Sequence, residues 1–196
     1  LEARFTAYAL SLMVAQTGDD PEVELARAEQ LISIGAEALI VVGVTHEPGL
    51  YDLIERTQRP VVAISYFDAD SSIPTVGYDN GAAAMLAARH LAGHGHVRVA
   101  VLHGPIAHND RMRRRKQALE SQSLGLEISY LEVELSMQGG HDGINHLKTK
   151  NLDVTAILCF SDVIAHGALH RLNALGLKVP DDVSVIGIEN LPASQF

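Results

Sequence analysis

The chain has 196 residues, 47% of them hydrophobic and 20% charged, with a formal net charge of −9. That is enough apolar chain to bury a core in one or two lobes, and the acidic balance excludes a stand-alone nucleic-acid binder, which needs a basic face. The single cysteine excludes a disulfide framework and suits a reducing compartment, and no run of about 18 apolar residues is present to span a membrane.

Residues 1–9 place Leu1, Phe5 and Tyr8 on one helical face. Residues 10–16 read as a strand. Thr17, Gly18 and Asp19 form a turn, and Asp20-Pro21 starts a helix: the carboxylate can cap, and proline suits the first turn. That helix is expected to reach Ile34, with Leu25, Ala28, Leu31 and Ile32 inward and Gly35 closing it. A buried strand at 38–42, a helix at 47–58 and a strand at 60–65 follow. Residues 66–74 form a polar loop, and 75–77 lead out of a first lobe. An alanine-rich helix at 81–90, a strand at 97–103, a helix from Asp110 towards Leu124, a strand at 128–133 and a helix at 139–150 come next. Strands alternating with helices of this length indicate parallel sheets with helices on both faces.

Residues 155–190 organise the rest. Residues 155–160 are an apolar run without helical spacing, as in a strand buried on both faces. Ser161-Asp162 starts a helix whose apolar side is read as Ile164, Leu169, Leu172 and Leu175, with Gly176 as the stop. Pro180, Asp181 and Asp182 turn the chain into a last buried strand at 183–188. In such β-α-β sheets ligands bind beyond the carboxyl ends of the strands. The polar residues placed there are Ser161, Asp162, Glu189 and Asn190.

Four groups could carry chemistry. Asp162, at a helix start, can accept from two neighbouring hydroxyls through charge-assisted bonds; as plain structure it is a helix cap. Asn109 to Lys116 is the densest basic run, most of it suited to a solvated face. Asp110 and Arg111 open that helix, and Arg111 and Arg115 lie four apart on one side of it. Two guanidinium groups together would suit a carboxylate or phosphate. Tyr66 and Phe67 follow a strand end, where an aromatic can stack on the apolar face of a ring ligand or simply cover the lobe edge. His46 sits at the equivalent edge of the preceding strand and could donate a hydrogen bond. Ten histidines invite a metal reading, but His166 and His170, four apart, have no matched acidic or cysteine partner, so no metal or other cofactor is expected. No nucleophile elbow or phosphate-cradling glycine loop follows a strand, and no enzyme is expected. Cys159 reads as a small core residue.

The segment SDVIAHGALHRLNALGLKVPDDVSVIGIEN, residues 161–190, resembles the lactose/galactose-repressor family of transcription regulators. Its Val-Pro-Asp-Asp-Val-Ser-Val run separates those regulators from periplasmic sugar-binding proteins. Ser161 stands where the family usually has Asn, and Glu189-Asn190 where it often has two Asp. The resemblance implies a two-lobed, periplasmic-binding-protein-like α/β fold, each lobe a doubly wound parallel sheet. It implies an N-terminal lobe at 1–76, a C-terminal lobe at 77–189 and a crossing back at 190–196. It further implies a sugar or sugar-acid effector in the interlobe cleft, a cytoplasmic homodimer, and operator DNA held by a head absent from this chain. In the family an Arg three residues before a Gly-aromatic pair reaches the ligand. Matching that pair to Ala118-Leu119 selects Arg115, and other registers select Arg111 or Arg114. The Asn-Asp-Arg opening is similar to the gluconate-repressor-like branch. The implied ligand set is Asp162, Arg115, Arg111, Asp110, Tyr66, Phe67, His46 and Asn190. The rival function is a periplasmic sugar receptor of a transporter.

The same resemblance predicts that the chain omits parts of its domain. A central strand should stand between segments 10–16 and 38–42, so those two should flank a gap of about twice the usual ~4.8 Å spacing.

Overall fold

A computed structural model describes residues 2–18, 20–122, 124–151 and 153–195. The chain divides into two compact units, residues 1–76 and 77–196.

The first unit opens with helix α1 (Glu2–Thr6). It is shorter than the apolar spacing predicts, because the chain turns back: the Leu10 amide donates to Phe5 O at 3.0 Å and Ala9 takes a left-handed φ of 56°. Helix α2 (Pro21–Ser33) starts where Asp20 Oδ1 accepts from the amides of Glu22 and Val23. Strand β1 (Leu39–Val42), helix α3 (Pro48–Thr57) and strands β2 (Val61–Ile64) and β3 (Thr75–Val76) follow. The sheet is parallel, in the order β1-β2-β3. Leu39, Val41, Val61 and Ala63 alternate onto one core with Ala28 of α2 and Leu50 and Leu53 of α3. The other face of β1 is open among the described residues, with Ile40 and Val42 41% and 49% exposed.

Residues 10–16 are not a strand. Strands are held by their ladders, and β1 pairs only with β2 in the described sheet. Leu10, Leu12, Met13 and Val14 are accordingly exposed. The expected one-strand gap beside β1 thus has no second wall.

The second unit contains α4 (Asn80–Gly93), β4 (Arg98–His103), α5 (Asp110–Ser121), β5 (Glu127–Glu132), α6 (Met137–Thr149), β6 (Ala156–Cys159), α7 (Asp162–Ala174) and β7 (Ser184–Ile186). All its strands are parallel, in the order β5-β4-β6-β7. Both faces are covered, and the period of two along each strand sorts the core. Val99, Val101, Ala156 and Leu158 meet α4 and α5. Ala100, Leu102, Ile157 and Cys159 meet α6 and α7. Burial pushes the Cys159 thiol well above its ordinary range, so it is an inert core residue.

Three details differ from the sequence reading. On α7 the buried line is Ile164, Ala165, Ala168 and Leu172, while Leu169 is 37% exposed. Five residues of helix turn about 140° away from Ile164, so Leu169 cannot share its face. Strand β7 is half-exposed rather than buried, because it is the last strand at its edge of the sheet. Residues 192–195 form a short 3-10 helix (Pro192–Gln195) that the sequence reading did not assign.

The order β5-β4-β6-β7 decides where a ligand can sit. From β4 the chain moves through α5 to one side, and from β6 it moves through α7 to the other. The crevice between the carboxyl ends of β4 and β6 is therefore the topological switch point, where open α/β sheets bind ligands.

At the far edge, Lys116 Nζ lies 4.8 Å from the ring centroid of Tyr130 on β5. Burial first, and the Glu120 carboxylate second, raise the Tyr130 hydroxyl from 10.0 to about 12. A folded pKa above the unfolded one adds stability that is complete below pH 10 and lost as pH rises through about 12. Ultraviolet difference titration should show this tyrosine ionising about two units after the exposed ones, and Glu120→Gln should bring it earlier. Ionisation alongside the others would refute the assignment.

Candidate functional site

The site begins where β4 ends. His103 is buried, its Nδ1 2.8 Å from Gly104 O, so Nδ1 carries the proton. The loop then reaches Asn109, whose Oδ1 accepts from the Met112 amide at 3.1 Å and starts α5. Asp110 is buried in the first turn, and Arg111 Nη1 donates to its Oδ1 at 3.2 Å. Arg113 donates to the carbonyls of Ile106 and Ala107, tying down the same loop.

Arg115 lies one turn beyond Arg111 and is 1% exposed. Its Nε donates to Asn80 Oδ1 at 3.0 Å, its Nη2 to Tyr78 Oη at 2.6 Å, and its Nη1 to the Phe160 carbonyl. Glu189 Oε1 is 3.7 Å from Nη2. One guanidinium thus joins the start of α4, the end of β6 and the end of β7. Only a planar fork with donors on three nitrogens can do this. Arg114, the rival by another register, is exposed.

The second half comes from β6 and β7. Ser161 caps α7 by accepting from the Val163 amide at 3.3 Å, and donates its own proton to Glu189 Oε2 at 2.8 Å. Asp162, 6% exposed, accepts at Oδ2 from the Leu191 amide (2.8 Å) and from Ser194 Oγ (2.7 Å). Its other oxygen faces Gly187, where a Cβ would overlap it. Glu189 and Asn190 have φ of 123° and 56°, so the chain bends sharply as it leaves β7. Strain of this kind clusters at functional sites.

The structure therefore brings Asp110, Arg111, Arg115, Asp162 and Asn190 to one end of one sheet. It places Tyr66, Phe67 and His46 in the other unit. Phe67 is 56% exposed and follows the end of β2, as the sequence predicts for that loop. His46 is different. Its side chain is 1% exposed, Nδ1 lies 2.7 Å from Glu24 Oε2 and Nε2 lies 3.2 Å from Gly43 O. Both ring nitrogens are engaged within the unit, so His46 links α2 to the loop after β1.

Sequence reasoning left out Tyr78, Asn80, Ser161 and Glu189 from the ligand set. Ser161 and Glu189 were already placed at the strand ends by the sequence, though outside the implied ligand set. Tyr78 and Asn80 precede Arg115 by 37 and 35 residues, and no local pattern connects them.

Residues 2–196 match the family described as periplasmic binding proteins and the sugar-binding domain of the LacI family. The HTH-type transcriptional repressor CytR of Escherichia coli (strain K12) is 33% identical over 147 residues, 72% of this chain and 43% of that protein. The HTH-type transcriptional repressor PurR of Actinobacillus pleuropneumoniae is 27% identical over 190 residues, 95% of this chain and 56% of that protein. The chain spans about half the length of these curated relatives. The crystal structure of a LacI family transcriptional regulator from Silicibacter pomeroyi superposes with a TM-score of 0.84 at 26% identity, covering 100% of this chain and 74% of that one. This chain belongs to the family of periplasmic binding proteins and LacI-type sugar-binding domains.

Proposed function

We propose that the chain is the effector-binding part of a transcriptional repressor, and that its effector is a small polyhydroxylated molecule of the sugar class. The observation that carries this reading is the cluster of Arg115, Ser161, Asp162 and Glu189 at the switch point of the second unit, in a chain whose relatives include HTH-type repressors. Carboxylates held by hydrogen bonds accept from vicinal hydroxyls, and a buried fork of N–H donors fixes their orientation. The Ser161 hydroxyl that donates to Glu189 also caps α7, and Glu189 also faces Arg115, so both are held in place as fixed binding groups.

Within the choice of sugar or sugar acid, the charge balance favours the uncharged sugar. Arg111 is paired with Asp110, and Arg115 with Glu189. An anionic ligand would have to break one of these pairs and also approach Asp162. In this reading Arg115, Asp162 and Glu189 contact or orient the ligand. The regulator works as a cytoplasmic homodimer, and operator DNA is contacted through a head outside these 196 residues. Effector changes operator affinity only by binding two arrangements of the protein unequally.

A thermal-shift screen with neutral sugars and sugar acids, followed by operator retardation with the complete gene product, tests the proposal, because a ligand of the native state raises its stability. Neutral sugars should stabilise, and the same sugars should change operator binding. Stabilisation by sugar acids alone would overturn the charge argument, and a binder without effect on DNA would overturn the regulatory one. Asp162→Asn should weaken the identified ligand by about 1–3 kcal/mol, the scale of a charge-assisted bond. Calorimetry giving unchanged affinity in a folded variant would remove Asp162 from the site.

A further inference from the structure

We propose that His90 and His94 form a surface chelate for a divalent transition-metal ion, of the copper or nickel type, at the end of α4. The two residues are four apart at the last turn of α4, where His94 is the C-cap. Their ring centroids are 4.3 Å apart and their planes are inclined at 42°. Two imidazoles bound to one ion through bonds of about 2.0–2.1 Å bring their ring centres to roughly 4.5 Å when the ligand angle is a right angle, and to roughly 5 Å when it is tetrahedral. The observed 4.3 Å is near the right-angle spacing, which copper(II) and nickel(II) prefer, and imidazole is a ligand both accept.

The tautomer is also set. His94 Nδ1 lies 2.9 Å from the His90 carbonyl oxygen. A carbonyl only accepts, so Nδ1 carries the proton and Nε2 keeps its lone pair for a metal. A backbone carbonyl in this position is the usual orienting partner of a metal-bound histidine. The local field agrees, since the carbonyl end of a helix attracts cations. Access is open: both histidines are exposed, and a Cβ added at Gly93 or Gly95 would meet nothing within 4 Å. Water can complete the coordination.

This place is distinct from the switch-point cluster, because the turn after α4 leads into the start of β4 and the cluster lies beyond its end. A second histidine pair, His141 and His170, has ring centroids 6.3 Å apart, too far for the same chelate, and His141 Nδ1 is held by Asp142. It serves as the control.

The test is titration of the tag-free protein with Ni2+ alone, and in parallel with Cu2+ alone, by calorimetry. His90→Ala and His94→Ala should each weaken binding roughly tenfold or more, while His170→Ala leaves it unchanged. Affinity should fall at low pH as protons compete for the rings. His94→Gln keeps an amide at the helix end and should also lose binding, which separates ligation from any loosening of the turn. One-to-one binding unaffected by His90→Ala and His94→Ala, loss seen with His170→Ala instead, or no binding at all would overturn the proposal.

Discussion

Replacing Gly140 by Ala should destabilise the second unit by about 3 kcal/mol or more. Helices α6 and α7 pack closely through Gly140 and Gly167. A Cβ at Gly140 would overlap the carbonyl oxygen of Ile164 and press on the amide of Ala168 at 3.0 Å; one at Gly167 would overlap the carbonyl oxygen of Met137. These obstacles are backbone, so no rotamer change relieves them and the helices must move apart. Separation would open the core around Ile144, Ile164 and Ala168. Alanine's better helix propensity, worth about 1 kcal/mol, opposes the effect and does not cancel it. Gly93→Ala tests the reasoning from the other side. Gly93 is the last residue of α4 and a Cβ there meets nothing within 4 Å, so that variant should be neutral or more stable by up to about 1 kcal/mol. Urea unfolding of both variants checks the pair. Equal stability of Gly140→Ala and the parent would show that the α6–α7 contact is looser than described.

Removing Arg115 should have the largest effect of any single substitution at the site. Arg115→Met removes the buried donor to Asn80 Oδ1 and to the Phe160 carbonyl, and the cation beside Glu189. Each buried acceptor left without its donor costs about 1–3 kcal/mol, so the two together take a large part of the roughly 5–15 kcal/mol by which a domain is stable, while the part-exposed ion pair to Glu189 adds little. Arg115→Lys keeps the charge, yet a single ammonium cannot meet acceptors on three elements at once. It should be intermediate in stability and should abolish the response to effector. Urea unfolding measures the first and the thermal-shift screen the second. A lysine variant with parent-like stability and parent-like ligand response would show that Arg115 acts as a point charge and not as a fork.

The two substitutions also show why some of this protein could be read before its structure and some could not. Alternating apolar strands and capped helices are local signals. Asp20 and Ser161 each cap the helix they were expected to start, because a side-chain oxygen satisfies amides only two or three residues away. The central strands β4 and β6 were legible for the same reason: a run buried on both faces has to be apolar along its length. Leu169 was misread from spacing alone, since a small alanine at 168 fills the buried position that a leucine seemed to claim. The failure at residues 10–16 is of another kind. Strand propensity was present, but propensity does not supply a ladder partner.

By itself the sequence determined an α/β chain of parallel sheets and the family to which it belongs. Those follow from periodicity, caps and one long motif, all carried by residues near one another in the chain. Only the tertiary structure decided which arginine is buried, that Tyr78 and Asn80 hold it, that Glu189 balances its charge, and that His46 is spent on Glu24 and Gly43. Arg111, Arg114 and Arg115 are chemically the same in sequence. What separates them is which one points at a carbonyl, an amide oxygen and a phenol brought together from distant parts of the chain, and that is set by the order of strands in the sheet.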